Sequence, residues 1–329
     1  MKTHSWMRLA TGTALALSMS AMALAVHAQN TPNRAMSLVV GFPAGGGTDA
    51  LARTLADKLT TRTGRNVIVE NRVGASGTIA ANYVSKAAPD GSVLLVSPVT
   101  LLTAPHTMDP NSRGIEDVTK ELVPVAQITE GTLVLAVNPR TGIKNVQELV
   151  TYLKANPGTF YGTAGNGTPM HIAGELFKNS ANVDISHVPY KGSAPMVTDL
   201  AAGHIKMGFV DISTARPFLE SGRIAAIGAL HKERSKMLPD VPTISEQGVA
   251  GVELTTWFGV FAPNHTPQSI ANKLNREIVA ALNSPDVVEK FRNLGEVLVD
   301  EDADSFRKTV LEDYQRYGDI VKQFNIKAQ

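Results

Sequence analysis

Two segments of the 329-residue chain have the residue types and spacing to hold an anion. The first is Gly41-Phe42-Pro43-Ala44-Gly45-Gly46-Gly47-Thr48-Asp49. The second is Tyr161-Gly162-Thr163-Ala164-Gly165-Asn166-Gly167-Thr168-Pro169-Met170-His171. In both, glycines without a Cβ let the backbone approach a ligand. A helical pattern follows each, and its first N–H groups lack intrahelical acceptors and carry partial positive charge. Thr48 and Thr168 stand where helix N-caps belong, and Pro169 suits a first helical position. Either segment alone also reads as an ordinary tight strand-to-helix turn; the pair is what gripping one anion from two sides requires. Further candidates lie at strand ends: Ser97, Tyr190 and Lys191 within Val188-Pro189-Tyr190-Lys191-Gly192-Ser193, Asp211, and Trp257. Lys191 suits open solvent equally well, and Trp257 suits a core.

The chemistry these residues offer is binding rather than catalysis. Asp49 falls in a first helical turn, where free N–H groups stabilise a carboxylate, so it is a better orienter of the loop or of a water than a proton acceptor. His171 and Glu175 are four apart on a helix, but no third ligand is signalled and no metal is expected. Gly-x-Ser-x-Gly, His-Glu-x-x-His and an Asp-rich calcium loop are missing. The first turn lacks the Lys-Ser/Thr of a phosphate-binding loop, neither turn spells Gly-x-Gly-x-x-Gly, and no cofactor is expected. A secreted α/β enzyme acting on a small acid is the rival class; it needs a nucleophile or metal that the sequence does not supply. A ligand-sensing receptor for a membrane signalling protein needs the same binding step and is not separable by sequence.

The elements that must position these turns alternate. Apolar, β-branched runs at 36–41, 66–70 and 92–97 read as strands, with helices from about 48 and over 77–87 between them. Further strands are expected at 122–128 and 132–138. After Pro139 the pattern restarts: helix 145–155, strand 159–162, a helix from 169, strand 185–188, helix 194–202 and strand 206–210. The strand 257–262 is followed by helices, one lined by Ile270, Leu274, Ile278 and Leu282, the last by Phe306, Val310, Tyr314, Tyr317, Val321 and Phe324. This is an α/β pattern of parallel sheets covered by helices. Two such sets and a helical return predict two lobes, crossed twice by the chain, with a ligand cleft between them.

The N-terminus is read as a secretory signal peptide at 1–28: basic Lys2 and Arg8, an uncharged apolar stretch from Leu9 to Val26, and Val26-His27-Ala28 for cleavage. Removing those two cations takes the formal charge from +1 to −1, which argues against nucleic acid and against an electrostatic membrane partner. No later segment reaches a spanning length, so no stable membrane insertion is expected after cleavage. The absence of cysteine excludes disulfides, thiolate nucleophiles and a lipid-modified cysteine.

These residues carry a family resemblance. FPAGGGTDALAR (42–53), VIVENRVGASGTIAANYVSKAAPDG (67–91), AGNGTPMHIAGELFK (164–178), VPYKGSAP (188–195), RSKMLPDVPTISEQG (234–248) and WFGVFAP (257–263) closely resemble the Bug-type extracytoplasmic solute receptors, the substrate-binding components of tripartite tricarboxylate transporters. The match runs in order along nearly the whole chain after residue 28. It implies a type II-like, venus-flytrap periplasmic-binding-protein fold. Residues 29–133 and 254–329 would form one lobe and 134–253 the other. It further implies a carboxylate held between the turns at 43–49 and 163–171, largely by backbone amides and waters, membrane permease subunits as partners, and a periplasmic location. Family ligands vary widely, so the resemblance does not name this one.

Overall fold

The computed structural model describes residues 35–109 and 114–327. The expected signal peptide at 1–28 lies outside the described residues. The described residues from 36 onward form one compact unit.

That unit opens with β1 (Met36–Val40), whose Leu38, Val39 and Val40 are all fully buried, the pattern of a strand covered on both faces. The first glycine turn leads into α1 (Gly47–Thr63), which buries Leu51, Leu55 and Leu59 and stops at left-handed Gly64. β2 (Val67–Asn71), α2 (Thr78–Ser85), β3 (Val93–Pro98), α3 (Thr100–Thr107), the short α4 (Val118–Glu121) and β4 (Leu122–Gly131) follow. A second series comprises β5 (Leu133–Val137), α5 (Val146–Ala155), β6 (Thr159–Thr163), α6 (Pro169–Ser180), β7 (Ile185–Pro189), α7 (Ser193–Ala202), β8 (Met207–Asp211), α8 (Ile212–Glu220) and β9 (Ala225–Ala229). The chain closes with β10 (Thr256–Pro263), α9 (Gln268–Leu282), α10 (Pro285–Asn293), β11 (Val297–Leu298) and α11 (Ala303–Gln323).

The strands form two mixed sheets, one per lobe. The first has the order β11-β4-β10-β3-β1-β2, the second β7-β6-β8-β5-β9. β1 is parallel to both β2 and β3, as the strand–helix–strand pattern requires, whereas β10 is antiparallel to both β3 and β4. The chain leaves the first sheet at Gly131 and enters the second at Leu133, with Thr132 alone between them. It returns from β9 to β10 through 230–255. In the second sheet β6 is parallel to β7 and β8, and β5 is antiparallel to β8 and β9.

The expected strands and amphipathic helices occur, with shifted ends. α4, α8, β9, α10 and β11, together with α3 directly after β3, go beyond the sequence reading. Thr48 is not the N-cap of α1: extended Gly46 occupies that position, and Thr48 lies buried inside the first turn. The reason is local, since Asp49 reaches back to the Gly45 amide and closes the helix start itself. Thr168 does cap α6, accepting from the His171 amide at 3.3 Å.

Trp257 takes the core role. It is 2% exposed, its indole N–H donates to Asp313 at 2.8 Å, and its ring lies edge-on to Phe306 with centroids 5.3 Å apart. Phe306 is fully buried beneath Phe261 and covers Gly259, where any Cβ would strike its ring. Phe306→Ala is expected to lower unfolding free energy in urea by about 3–5 kcal/mol, transfer and cavity terms together. A loss below about 1 kcal/mol would show that this aromatic cluster does not anchor the first lobe.

Candidate functional site

The first turn is shaped by a buried carboxylate. Asp49, 3% exposed, accepts from the Gly45 amide at 2.9 Å, from Arg53 Nε at 2.9 Å and Nη2 at 3.0 Å, and from Asn71 Nδ2 at 2.9 Å. Asn71 also donates to the Phe42 carbonyl at 3.1 Å, so the end of β2 fixes both sides of the turn. Burial alone would raise the Asp49 pKa; Arg53, the Gly45 amide and Asn71 outweigh it and hold the carboxyl below its ordinary value. Asp49 is therefore an ionised positioning group, as its place in the sequence suggests. Gly46 N–H is also used internally, on the Pro43 carbonyl at 3.3 Å. What the turn offers a ligand is the start of α1, where the Gly47 and Thr48 amides have no helical acceptor. Pro43, Ala44, Gly45 and Gly47 are exposed around it.

The second turn follows β6. Gly165 has φ 144°, a conformation closed to L side chains, and Gly167 has φ 70°. Thr163 is fully buried and its hydroxyl accepts from the Gly165 amide at 3.2 Å. Thr168 donates its hydroxyl to the Gly165 carbonyl at 2.8 Å, and the Gly167 amide donates to His171 Nδ1 at 3.3 Å. The strand-end segment after β7 joins this turn: the Tyr190 amide donates to the Thr163 carbonyl at 3.1 Å and the Gly192 amide to Ala164 at 2.9 Å.

A third segment, which the sequence reading did not select as a site, links the two turns. In Gly74-Ala75-Ser76-Gly77 all four residues have positive φ (143°, 46°, 52° and 92°). Ala75 and Ser76 are non-glycine residues in the left-handed region, a strain of about 1–3 kcal/mol each that is typical of functional sites. Gly77 packs against Gly41, where a Cβ would come within 2.5 Å of the Gly77 Cα, and its own face meets the Phe42 ring. On the other side Ser76 Oγ donates to the Asn166 carbonyl at 3.0 Å, across the lobes. Thr103 on α3 donates to the Gly167 carbonyl, and the Gly167 Cα fits directly against Thr107. The flanking glycines in Gly74-x-x-Gly77 were the one available sequence signal; nothing in Thr103 or Thr107 announces a contact made across the lobes.

The remaining candidates divide. Ser97 is buried and donates to the Pro98 carbonyl at 3.2 Å. Tyr190 donates its hydroxyl to Asp199 at 2.8 Å, and burial, with Asp199, pushes its pKa up to about 12. Lys191 is exposed. Asp211 caps α8 through the Thr214 amide at 2.8 Å and accepts from Ser193 and Ser213, each at 2.6 Å, which ties α7 to α8. Trp257 is in the core. Two open surface grooves, one edged by Arg62, Lys273 and Arg276 and one by Gln147 and Gln247, each belong to a single lobe and contain none of these residues. No group of three or more His, Asp or Glu side chains is placed to hold a metal ion among the described residues.

Two α/β lobes, each presenting a glycine turn at a helix start, with the second turn docked across the boundary, define a solute-receptor architecture. The family model for the tripartite tricarboxylate transporter family receptor matches residues 51–326, and the chain belongs to that family. Protein BugT of Bordetella pertussis is 33% identical over 315 residues, 95% of this chain and 96% of its own. A Pseudomonas sp. protein encoded in the tcbD-tcbE intergenic region is 37% identical over 290 residues, 88% of this chain and 85% of its own. Among solved structures, a Rhodopseudomonas palustris protein with adipate is 33% identical with TM-score 0.84, covering 90% of this chain and 99% of its own. MatC from the same organism, with bound malate, is 31% identical with TM-score 0.81, covering 88% and 99%.

Asp49→Asn keeps the volume of this group but turns one acceptor into a donor facing Arg53. It is expected to destabilise the protein by about 1–3 kcal/mol. The sign with pH follows from the lowered pKa: the Asp49 contribution is complete above 3.8 and fades as pH falls through the folded-state value. Thermal unfolding between pH 6 and 3 should therefore fall more steeply in the wild type than in D49N; parallel curves would remove the ionised carboxylate from the turn.

Proposed function

We propose that this receptor captures a small organic carboxylate between its lobes in the periplasm and delivers it to membrane permease subunits of a tripartite transporter, without chemical change. In this reading residues 29–133 with 254–329 form one lobe and 134–253 the other, and the ligand sits against the turns at 43–49 and 163–171. The observation that carries it is the junction of the second turn with the strained 74–77 bend, which brings elements of both lobes to one place. The adipate and malate of the two relatives support a carboxylate as the chemical class. The polar groups of the turns are engaged in internal hydrogen bonds, Asp49 with Gly45, Arg53 and Asn71 and Thr163 with Gly165 and His187, which favours binding over turnover.

The energetics set what the turns must do. A helix start contributes about 0.3–1 kcal/mol to an anion, up to ~2 when partly buried. Micromolar affinity needs about −8 kcal/mol. Direct and water-mediated hydrogen bonds to amides and hydroxyls must add the difference, because a buried carboxylate is tolerated only when its oxygens are fully bonded. Closure is stabilised to the extent that the ligand contacts the closed form better than the open one.

Mass spectrometry of what co-purifies, followed by a thermal-shift screen of organic acids, tests the reading; a true ligand at about 100 times its Kd adds ~2.7 kcal/mol of stability. Gly165→Val is expected to abolish binding in titration calorimetry, since φ 144° is closed to valine and a Cβ there would lie 3.2 Å from the Tyr190 carbonyl. Ser76→Ala removes one hydrogen bond between the lobes and should weaken binding about 3–10-fold. Wild-type affinity in both variants would take the second turn out of the site, and turnover of a bound acid would favour the enzyme instead.

A further inference from the structure

Behind the second turn lies a pair of histidines, His171 at the end of the turn and His187 on β7, whose contact with each other the binding reading does not explain. His171 on α6 is 3% exposed, and its ring stacks on that of His187 from β7, with centroids 4.0 Å apart and planes 11° from parallel. His171 Nδ1 receives the Gly167 amide at 3.3 Å, which requires that nitrogen to carry no proton. His187 Nε2 lies 2.6 Å from the Thr163 hydroxyl, the group that also receives the Gly165 amide. From α6, Glu175 faces His171 and accepts from the Tyr161 hydroxyl at 2.7 Å; from β6, the Tyr161 ring lies 5.2 Å from His187; Phe209 meets Tyr161 edge-on. No cation appears among these facing groups.

We propose that the stacked pair His171–His187 is the positioning element of the second turn, which keeps its ligand-holding shape only while both rings are uncharged. This rests on the reading of that turn as part of the carboxylate site. A proton on His171 Nδ1 would set one donor against another at Gly167, the residue whose carbonyl takes the Thr103 hydroxyl and whose Cα fits against Thr107. A shift there is transmitted to the contact between the lobes, so acid loosens the grip. Burial pushes both imidazoles below their ordinary pKa, His171 despite Glu175, and His187 to about 3 with the neighbouring His171 adding to the effect. The sign follows: a group whose neutral form is favoured in the folded state supports the turn fully above the ordinary value of 6.5, and that support is lost as pH falls through the lowered value.

The test uses the intact protein, labelled with 15N in its histidines, and adipate or malate, whichever gives the larger thermal shift. Long-range 1H–15N spectra should show His171 as the Nε2–H tautomer, with both rings of the pair titrating below the ordinary imidazole value of 6.5. Probe affinity should fall at least about 10-fold as the His171 signal moves, while β1 amides stay native. His171→Gln should bind more weakly at every pH and lack the acid step. An ordinary titration of either ring, or affinity that stays flat through the titration while the probe still shifts the Gly165 and Thr168 amides, overturns the positioning role alone. Absence of probe-induced shifts at those amides overturns the underlying reading of the turn as well, so the two failures are distinguishable. The wild-type spectra decide the matter even where H171Q fails to fold.

Discussion

The arrangement of this site depends on one constraint: a backbone amide can serve a ligand only if no internal acceptor has claimed it. Both turns are built by internal acceptors that claim particular amides. Asp49 takes Gly45, the Pro43 carbonyl takes Gly46, the Thr163 hydroxyl takes Gly165, and His171 takes Gly167. These bonds give each turn its shape. The first turn then leaves the opening amides of α1, those of Gly47 and Thr48, without a helical acceptor. Asp49, itself buried, is stable in that role because Arg53 and Asn71 complete its hydrogen bonding.

Much of the fold was legible because it rests on patterns of period two and 3.6. β1, with three consecutive fully buried residues, and α11, with Phe306, Val310, Tyr317 and Val321 inward, are readable from spacing alone. α3 was not, because Thr100–Thr107 carries Pro105 and three threonines and its burial comes from tertiary packing on both lobes. Thr48 shows a different limit: two residues competed to close one helix start, and the carboxylate a residue further on prevailed over the hydroxyl.

In the site, the two glycine turns were visible because φ above zero and close approach demand glycine. The 74–77 bend was harder to read. Ala75 and Ser76 adopt left-handed conformations that their types do not favour, and they persist because Gly77 is pinned against Gly41 and Thr78 bonds back to the Ala75 carbonyl at 2.8 Å. Pairings between distant segments, such as Ser76 with Asn166 or His171 with His187, leave no local periodic trace.

The placement of β10 has a consequence for how the molecule assembles. It lies between β3 and β4, antiparallel to both, so β4 cannot join β1, β2 and β3 in one sheet until residue 256 is available. The second sheet draws all its strands from the contiguous stretch 133–229 and waits for nothing further along the chain. Long-range pairing of the first kind is slow and leaves strand edges bare in the interim. The middle of the polypeptide is thus the natural first folding unit, and the lobe that begins the sequence is the last to be completed.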